Sequence, residues 1–249
     1  MLVLGAGAML AVDPIPQDAA YHLFADARAF LGVPNFANVV SNAGFAVVGV
    51  MGLLWILRRG ARLFPDRSHA RPYRLFFVGV GLVSLGSAYY HWAPSNETLL
   101  WDRLPMAVAF MSLSSAVVAD RVHARAGNGW LLALLVALGL ASLLHWHWTE
   151  SIGRGDLRLY ALVQFYPMLA IPVICLLFPE RHYTAGRYIA WIIGWYGLSK
   201  LLEFLDHEVF ALSSHLVSGH TLKHIAAAVA TYVALHMLVD SQGRSARRS

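Results

Sequence analysis

Seven stretches of mostly apolar residues, each close to 20 residues long, constrain the fold of this chain most. A helix rises about 1.5 Å per residue, so about 20 apolar residues cross the roughly 30 Å hydrocarbon core of a bilayer. A helix also satisfies its own backbone polar groups inside that core. The pattern therefore predicts an all-α integral membrane protein whose spans are residues 36–57, 73–92, 101–119, 130–148, 158–178, 188–208 and 219–239.

The composition excludes an ordinary soluble domain. Hydrophobic residues make up 58% of the chain and charged residues only 13%, and the mean hydropathy is +0.55, far above the usual range. The net charge of +5 does not predict a nucleic-acid partner, because the basic residues form short clusters between apolar stretches. Cys175 is the only cysteine, which excludes a disulfide framework.

The connections between the stretches are short, which predicts one seven-helix bundle, residues 36–239, without a separate soluble domain. Residues 1–35 are expected to form an extramembrane N-terminal segment. Its apolar start, Met1–Val12, lacks the basic region of a cleaved signal peptide, so we interpret it as a flexible or interfacial piece. The Arg- and Ser-rich residues 240–249 predict a disordered cytoplasmic tail.

Arginines predict the orientation of the bundle. The connections after the first, third and fifth stretches, together with the tail, carry 13 arginines, against four on the opposite side. Cytoplasmic loops hold the excess of basic residues, so we expect the N-terminus outside and the C-terminus inside. The cytoplasmic set is Arg58, Arg59, Arg62, Arg67, Arg71, Arg74, Arg121, Arg125, Arg181, Arg187, Arg244, Arg247 and Arg248, and the other is Arg28, Arg103, Arg154 and Arg158.

This orientation places polar residues from five stretches at one depth, near the outer ends. Ionisable residues are costly inside a membrane and mark a functional site by default. A shared polar site is therefore favoured over unrelated contacts between helices. The residues are Asn42 in the first stretch, Ser87 and His91 in the second, Asp102 in the third, Glu203, Asp206 and His207 in the sixth, and His220 and His224 in the seventh.

The histidines among them indicate a metal site. His220 and His224 are four residues apart, so their rings share a helix face, about 6 Å apart along the axis. That pair alone is a weak signal, and His91 at the same depth strengthens it. Three neutral imidazoles with an open position are typical of catalytic zinc, which lowers the pKa of a bound water toward roughly 7. Asp102 could then orient or deprotonate the water. The Ser87 hydroxyl could donate a hydrogen bond to the oxyanion that forms on an attacked carbonyl.

Glu203 and His207 share a predicted helical face, which allows two interpretations. One is a second metal site or a proton relay. The other, which we favour, is a network that supports the metal ligands, or an ion pair between Glu203 and Lys200. Asn42 is expected to support the ligands in the same way. Lys223, between the two histidines, lies too near the outer end for a retinal Schiff base.

Four motifs resemble signatures of the alkaline ceramidases, which belong to a superfamily of seven-helix hydrolases that includes the adiponectin receptors. Order, spacing and placement agree from about Phe36 to Val239. The resemblance implies a zinc ion held by three histidines and cleavage of the ceramide amide to a sphingoid base and a fatty acid. The motifs are Asn-x-x-Ser-Asn at 38–42, Ser-x-x-x-His at 87–91, Asp-x-x-Pro-Met at 102–106 and His-x-x-x-His at 220–224, and the implied ligands are His91, His220 and His224, with Ser87 and Asp102 near the metal-bound water.

The N-terminal segment departs from the eukaryotic members, which bind calcium through an acidic cluster there. Asp26 is the only acidic residue in the corresponding region, 26–36, and Arg28 adds a positive charge. Calcium prefers six to eight oxygen ligands with several carboxylates. We therefore do not expect calcium to regulate this protein.

The Arg- and Ala-rich composition and short loops indicate a bacterial protein, located in the inner membrane with its site near the periplasmic side. Because many bacteria make no sphingolipids, the lipid substrate stays open. It is ceramide, a ceramide-like lipid, or another acyl lipid such as an N-acyl amino acid lipid or a phospholipid ester. A further alternative is a non-catalytic receptor in which a structural zinc ties helices together.

Overall fold

The structure is a computed structural model that describes residues 7, 9, 11–64, 66–180 and 182–246. Within these residues it is helical, without a strand longer than an isolated bridge between Phe30 and Val33, which confirms the predicted all-α class. The long helices are α1 (Ala43–Leu63), α2 (Ala70–Trp92), α3 (Asn96–Arg121), α4 (Trp130–Ser151), α5 (Arg158–Leu177), α6 (Gly186–Phe204) and α7 (Gly219–Ala246). Short helices span Ala19–His22, Phe36–Val40, Arg67–His69, Ala124–Gly127 and Asp206–Leu212.

In the described residues, six helices are long and apolar enough to cross a membrane, and the protein is an integral membrane protein. Among the long helices, α6 does not meet this criterion, although the sequence predicts seven spans. Its 19 residues include three charged ones, Arg187, Lys200 and Glu203. Tyrosine, tryptophan and glycine also replace many of the aliphatic residues that the other helices contain.

The helix α3 is the centre of the bundle, since it packs against α2, α4 and α5. Its residues Leu99, Ala107 and Val117 are fully buried. The helix α7 packs against α6 and α1, and α1 packs against α2, so the helices surround a common interior. Large apolar side chains are exposed on the outer faces, among them Leu57, Leu85, Leu138 and Leu169, as suits contact with lipid.

Successive long helices run in opposite directions, which gathers their connections at two ends. At one end the Asp120 carboxylate accepts bonds from the backbone N–H groups of Tyr183 and Thr184, at 3.1 and 2.9 Å. Arg121 donates to the carbonyl oxygens of Cys175 and Phe178. These bonds tie the end of α3 to the connection between α5 and α6. The opposite end, where α2 stops and α7 begins, is called the histidine end below.

The N-terminal segment covers the histidine end. Tyr21 donates a 2.9 Å bond to the Glu203 carboxylate, and His22 bonds to the Tyr90 hydroxyl at 2.9 Å. Within the segment, the Arg28 guanidinium donates two 2.7 Å bonds to the Asp26 carboxylate and thereby holds the pKa of Asp26 below its usual value. Asp26, the one acidic residue of the stretch 26–36, is therefore already paired with a cation.

The C-terminal helix extends beyond the predicted span. The chain was expected to leave the helix at residue 239 and to be disordered from 240, but α7 is helical up to Ala246. Asp240 accepts a 2.7 Å bond from Arg187, and the Ser241 hydroxyl donates to the Met237 carbonyl. The residues outside the described ranges include most of the apolar start, namely 1–6, 8 and 10, together with Arg181, Arg247 and Arg248.

Gly86 allows the closest approach of α2 to α3. A Cβ atom at this position would clash with the carbonyl oxygen of Trp101 and lie 3.3 Å from the backbone nitrogen of Asp102. The neighbouring Ser87 is brought beside Asp102 by this backbone contact. Five residues earlier in α2, a Cβ atom at Gly81 would meet nothing nearer than the Cα atom of Gly49, at 3.9 Å.

We expect Gly86→Ala to lower the thermal unfolding temperature, because its methyl group would force α2 and α3 apart. Overpacking of this kind costs about 1–3 kcal/mol. Gly81→Ala is the matched control on the same helix, where the methyl group has room and alanine favours the helix by about 1 kcal/mol. Thermal unfolding of both purified variants in one detergent measures the difference, and equal melting temperatures would contradict the predicted contact.

Candidate metal centre

Three histidine rings converge at the histidine end. His91 lies in the last turn of α2, and His220 and His224 lie in the first turns of α7. All three are buried, at 0%, 4% and 4% exposure. Their candidate ligand nitrogens lie within 4.8 Å of one another. The structure thus brings together the three histidines that the sequence singled out, and this group can hold a metal ion.

The nitrogen atoms of this group fit a divalent cation. The Nε2 atoms of His91 and His224 are 3.2 Å apart, close to the separation of about 3.3 Å between two nitrogen ligands of a tetrahedral zinc ion. The Nε2 atom of His220 is buried and has no hydrogen-bond partner within the described residues. A buried lone pair without a partner is costly. Binding a cation that prefers imidazole would remove that cost.

Ser41 fixes the orientation of one ligand ring. Its hydroxyl oxygen lies 2.8 Å from Nδ1 of His224 and donates its own proton to the carbonyl of Asn38, at 3.1 Å. The hydroxyl is therefore free to accept from an Nδ1–H group. This arrangement leaves the lone pair on Nε2 of His224, which is the atom that faces His91.

The backbone of the other two histidines is held from outside their helices. Asn35, whose left-handed φ is 46°, donates a 2.8 Å bond from its amide to the carbonyl of His91. The backbone N–H of His220 donates a 2.7 Å bond to the carboxylate of Asp206. Gly219 permits this contact, because a Cβ atom there would lie 2.8 Å from the Cα atom of Asp206.

The Phe24 ring covers the histidines on the side of the N-terminal segment. Its centroid lies 4.7 Å from that of His91 and 4.6 Å from that of His220. The backbone N–H of the next residue, Ala25, donates a 2.9 Å bond to the second carboxylate oxygen of Asp206. One carboxylate thus anchors both the covering segment and the start of α7.

Ser87 and Asp102 lie beside the histidine group. They are 2% and 8% exposed, and the Ser87 hydroxyl lies near enough to the Asp102 carboxylate to interact with it. Both side chains line the same cavity as His224. A hydroxyl and a carboxylate therefore lie together next to a ring that can bind a metal, which is an arrangement suited to hydrolysis.

The cavity reaches the histidine group at His224, beside its charged residues, and most of its remaining wall inside the bundle is apolar. It encloses about 120 Å³, and helices α2, α3, α5, α6 and α7 contribute its walls. This shape suits an amphiphile whose polar group meets the histidines and whose chain lies among the helices. The apolar part is lined by Phe76, Val80, Val83, Met106, Ala109, Phe110, Leu113, Met168, Ile192, Ala227 and Ala230.

The residues expected to support the ligands lie at different places. Asn42 is buried and donates a 2.8 Å bond to the carbonyl of Asn38. Glu203 lines the cavity and accepts 2.5 Å bonds from Lys200 and Lys223, which includes the ion pair that the sequence indicated. His207 is exposed, and the preceding residue, Asp206, makes the contact described above.

Sequence reasoning missed Ser41 and Asn35 as partners of the histidines, and it placed Asp206 among the outer polar residues without predicting its bond to His220. Ser41 lies inside the Asn-x-x-Ser-Asn motif, so the motif itself carried a signal. Asp206 is adjacent to His207, which the sequence predicted to support the metal ligands. An acidic side chain in this mostly apolar region was itself an indication that Asp206 has a role at the site. Asn35 precedes the first apolar stretch, where neither spacing nor hydropathy indicated a role.

The comparisons with known proteins agree with this geometry. The family model described as Ceramidase matches residues 32–245, which is most of the chain and includes all three histidines, Ser87 and Asp102. No curated protein matches the chain. The chain belongs to the ceramidase family.

Proposed function

We propose that this protein is a zinc-dependent membrane amidohydrolase that cleaves the N-acyl amide of ceramide, or of a ceramide-like lipid, to a sphingoid base and a fatty acid. Membership of the family implies a hydrolase with a lipid substrate. The observation that carries the proposal is that the three-histidine group reaches a largely apolar cavity through His224, with Ser87 and Asp102 lining the same cavity. That arrangement would present the amide to the histidines and the acyl chain to the apolar walls.

In this proposal His91, His220 and His224 hold the zinc ion, which when bound supplies Lewis-acid chemistry at the amide carbonyl. Asp102 accepts the proton of the attacking water at a carboxylate oxygen and returns it to the leaving amine as the C–N bond breaks. When the amide binds, the Ser87 hydroxyl turns from Asp102 and donates its hydrogen bond to the carbonyl oxygen, where negative charge develops. The apolar walls exclude bulk water around these groups.

Two alternatives from the sequence use the same residues. Another acyl lipid, such as an N-acyl amino acid lipid or a phospholipid ester, would fit a cavity of this shape. A non-catalytic receptor with a structural zinc would need a closed site, usually with four protein ligands. The group found among the described residues has three histidines, with Ser87 and Asp102 beside it, and this favours catalysis.

The proposal includes the topology and location expected from the sequence. All seven long helices cross the membrane, with the N-terminus outside and the C-terminus cytoplasmic, in a bacterial inner membrane whose periplasmic side faces the histidine end. The packing of α6 along α7 supports its inclusion in the bundle. The exposed Arg125 and Arg187 lie at the end opposite the histidines, as the excess of basic residues requires.

Cysteine labelling tests the topology on both sides of α6. In a Cys175→Ala background, Glu208→Cys should react with a membrane-impermeant maleimide in intact cells, because residue 208 follows α6 at the outer side. Glu180→Cys, before α6, should react only after the membrane is permeabilised. Both positions are exposed. Labelling of both from the same side would show that α6 does not cross.

Removal of one histidine tests the metal and the activity together. Purified protein should contain about one zinc ion per chain, and His220→Ala should lose both the zinc and the cleavage of ceramide, because three imidazoles are needed to hold the ion. His236→Ala is the control, since this exposed histidine lies on α7 far from the group. A zinc-free wild-type protein purified without chelators would overturn the proposal.

Asp102→Asn separates a catalytic zinc from a structural one. The amide keeps the shape of the side chain and its contact with Ser87 but cannot accept a proton, so kcat should fall ~10²- to 10⁴-fold. Metal analysis of the same preparation should show unchanged zinc. Loss of zinc would instead identify Asp102 as a ligand, and undiminished kcat would contradict its role as a base.

A further inference from the structure

Arg103 is a buried cation in the wall of the cavity. It lies next to Asp102 on α3, is only 7% exposed and lines the cavity. Its Nη1 atom is buried and has no hydrogen-bond partner within the described residues. A guanidinium carries five N–H donors and cannot lose its charge in a protein, so an unpartnered donor here is a costly feature that a ligand would relieve.

Three aromatic rings hold this guanidinium in place. Its central carbon lies 4.7 Å from the ring centroid of Trp146, 5.0 Å from that of Tyr160 and 5.5 Å from that of Tyr21. The ring faces stabilise the positive charge but offer few acceptors for N–H groups. The rings also fix the orientation of the side chain before any ligand binds, which lowers the entropy lost on binding.

The acidic side chains of the cavity contact other groups. Glu203 accepts bonds from Lys200, Lys223 and Tyr21. Asp102 lies beside the Ser87 hydroxyl. The cavity therefore contains three cationic side chains and two anionic ones, and any metal ion on the histidines would add further positive charge. A ligand with a negative group would restore the balance.

The position of this excess charge identifies which part of a lipid it would meet. Arg103 lines the cavity together with Asp102 and His224, whereas most of the remaining wall is apolar, with Gln164, Tyr196, Ser199 and Thr231 as uncharged polar exceptions. An acyl chain in the apolar part would place the amide and the head group beside these charged residues. The positive charge therefore faces the head group.

We propose that Arg103 binds an anionic group, a carboxylate, sulfonate or phosphate, on the head group of the acyl amide that this protein hydrolyses. This inference rests on the proposed function and selects one branch of it: ceramide itself is neutral, so the substrate would be a ceramide-like acyl amide lipid with a negative head group. A guanidinium suits this role, because it can give two parallel hydrogen bonds to such an anion.

A matched pair of substrates tests the inference. N-palmitoylserine carries a carboxylate where N-palmitoylserinol carries a hydroxymethyl group, and the two are otherwise alike. Wild-type protein should cleave the carboxylate with a kcat/KM about 10- to 100-fold higher, as expected for hydrogen bonds to a charged group. Arg103→Gln should lose this preference, so that the ratio of kcat/KM for N-palmitoylserine to kcat/KM for N-palmitoylserinol falls toward one, whatever the variant's absolute rates. Arg103→Lys should keep part of the preference.

The wild-type ratio alone can overturn the inference, so it does not depend on whether Arg103→Gln folds. A wild type that prefers the neutral substrate, or a variant that loses both activities equally, contradicts it. Palmitate inhibition should be similar in wild type and Arg103→Gln, and its loss in the variant would assign Arg103 to the product carboxylate instead. If zinc-loaded protein cleaves neither substrate, the proposed function fails. The anion site would still be supported if N-palmitoylserine, but not N-palmitoylserinol, raises the melting temperature of the wild type and this effect is lost in Arg103→Gln.

Discussion

The cost of an unpartnered polar group inside an apolar bundle governs the histidine end of this protein. Asn38 shows how the cost is met, since it is fully buried and accepts a 2.8 Å bond from Thr221 at its side-chain oxygen. Its backbone carbonyl accepts from Ser41 and Asn42. One residue before α1 thereby joins the start of α7 to the partner of His224. The atoms left without partners are the ones available to a ligand.

Much of this arrangement could be predicted from local sequence, because hydropathy and the helical repeat act over short distances. The convergence of Ser87, His91, Asp102, His220 and His224 follows from helix direction and depth. His207 shows the limit, since α6 ends at Phe204 and a new helix begins at Asp206. The face shared by Glu203 and His207 on a continuous helix therefore does not exist.

Long-range partners were less predictable. The N-terminal segment has no periodic pattern, so its contacts with the bundle depend on particular hydrogen bonds rather than on an apolar face. The number of spans is harder to read from composition. Polar side chains that line the cavity, such as Tyr196, Lys200 and Glu203, lower the hydropathy of α6. A helix that contributes polar groups to an interior site looks less like a membrane span by composition.

The covering of the histidines by Phe24 has a consequence for kinetics. Under the proposed function, a site covered by its own N-terminal segment would meet its substrate from within the bilayer, where an acyl lipid already resides. The concentration that sets its rate is then the mole fraction of substrate in the membrane surface, and dilution with inert lipid or detergent slows turnover even when the total amount of substrate in the sample is constant.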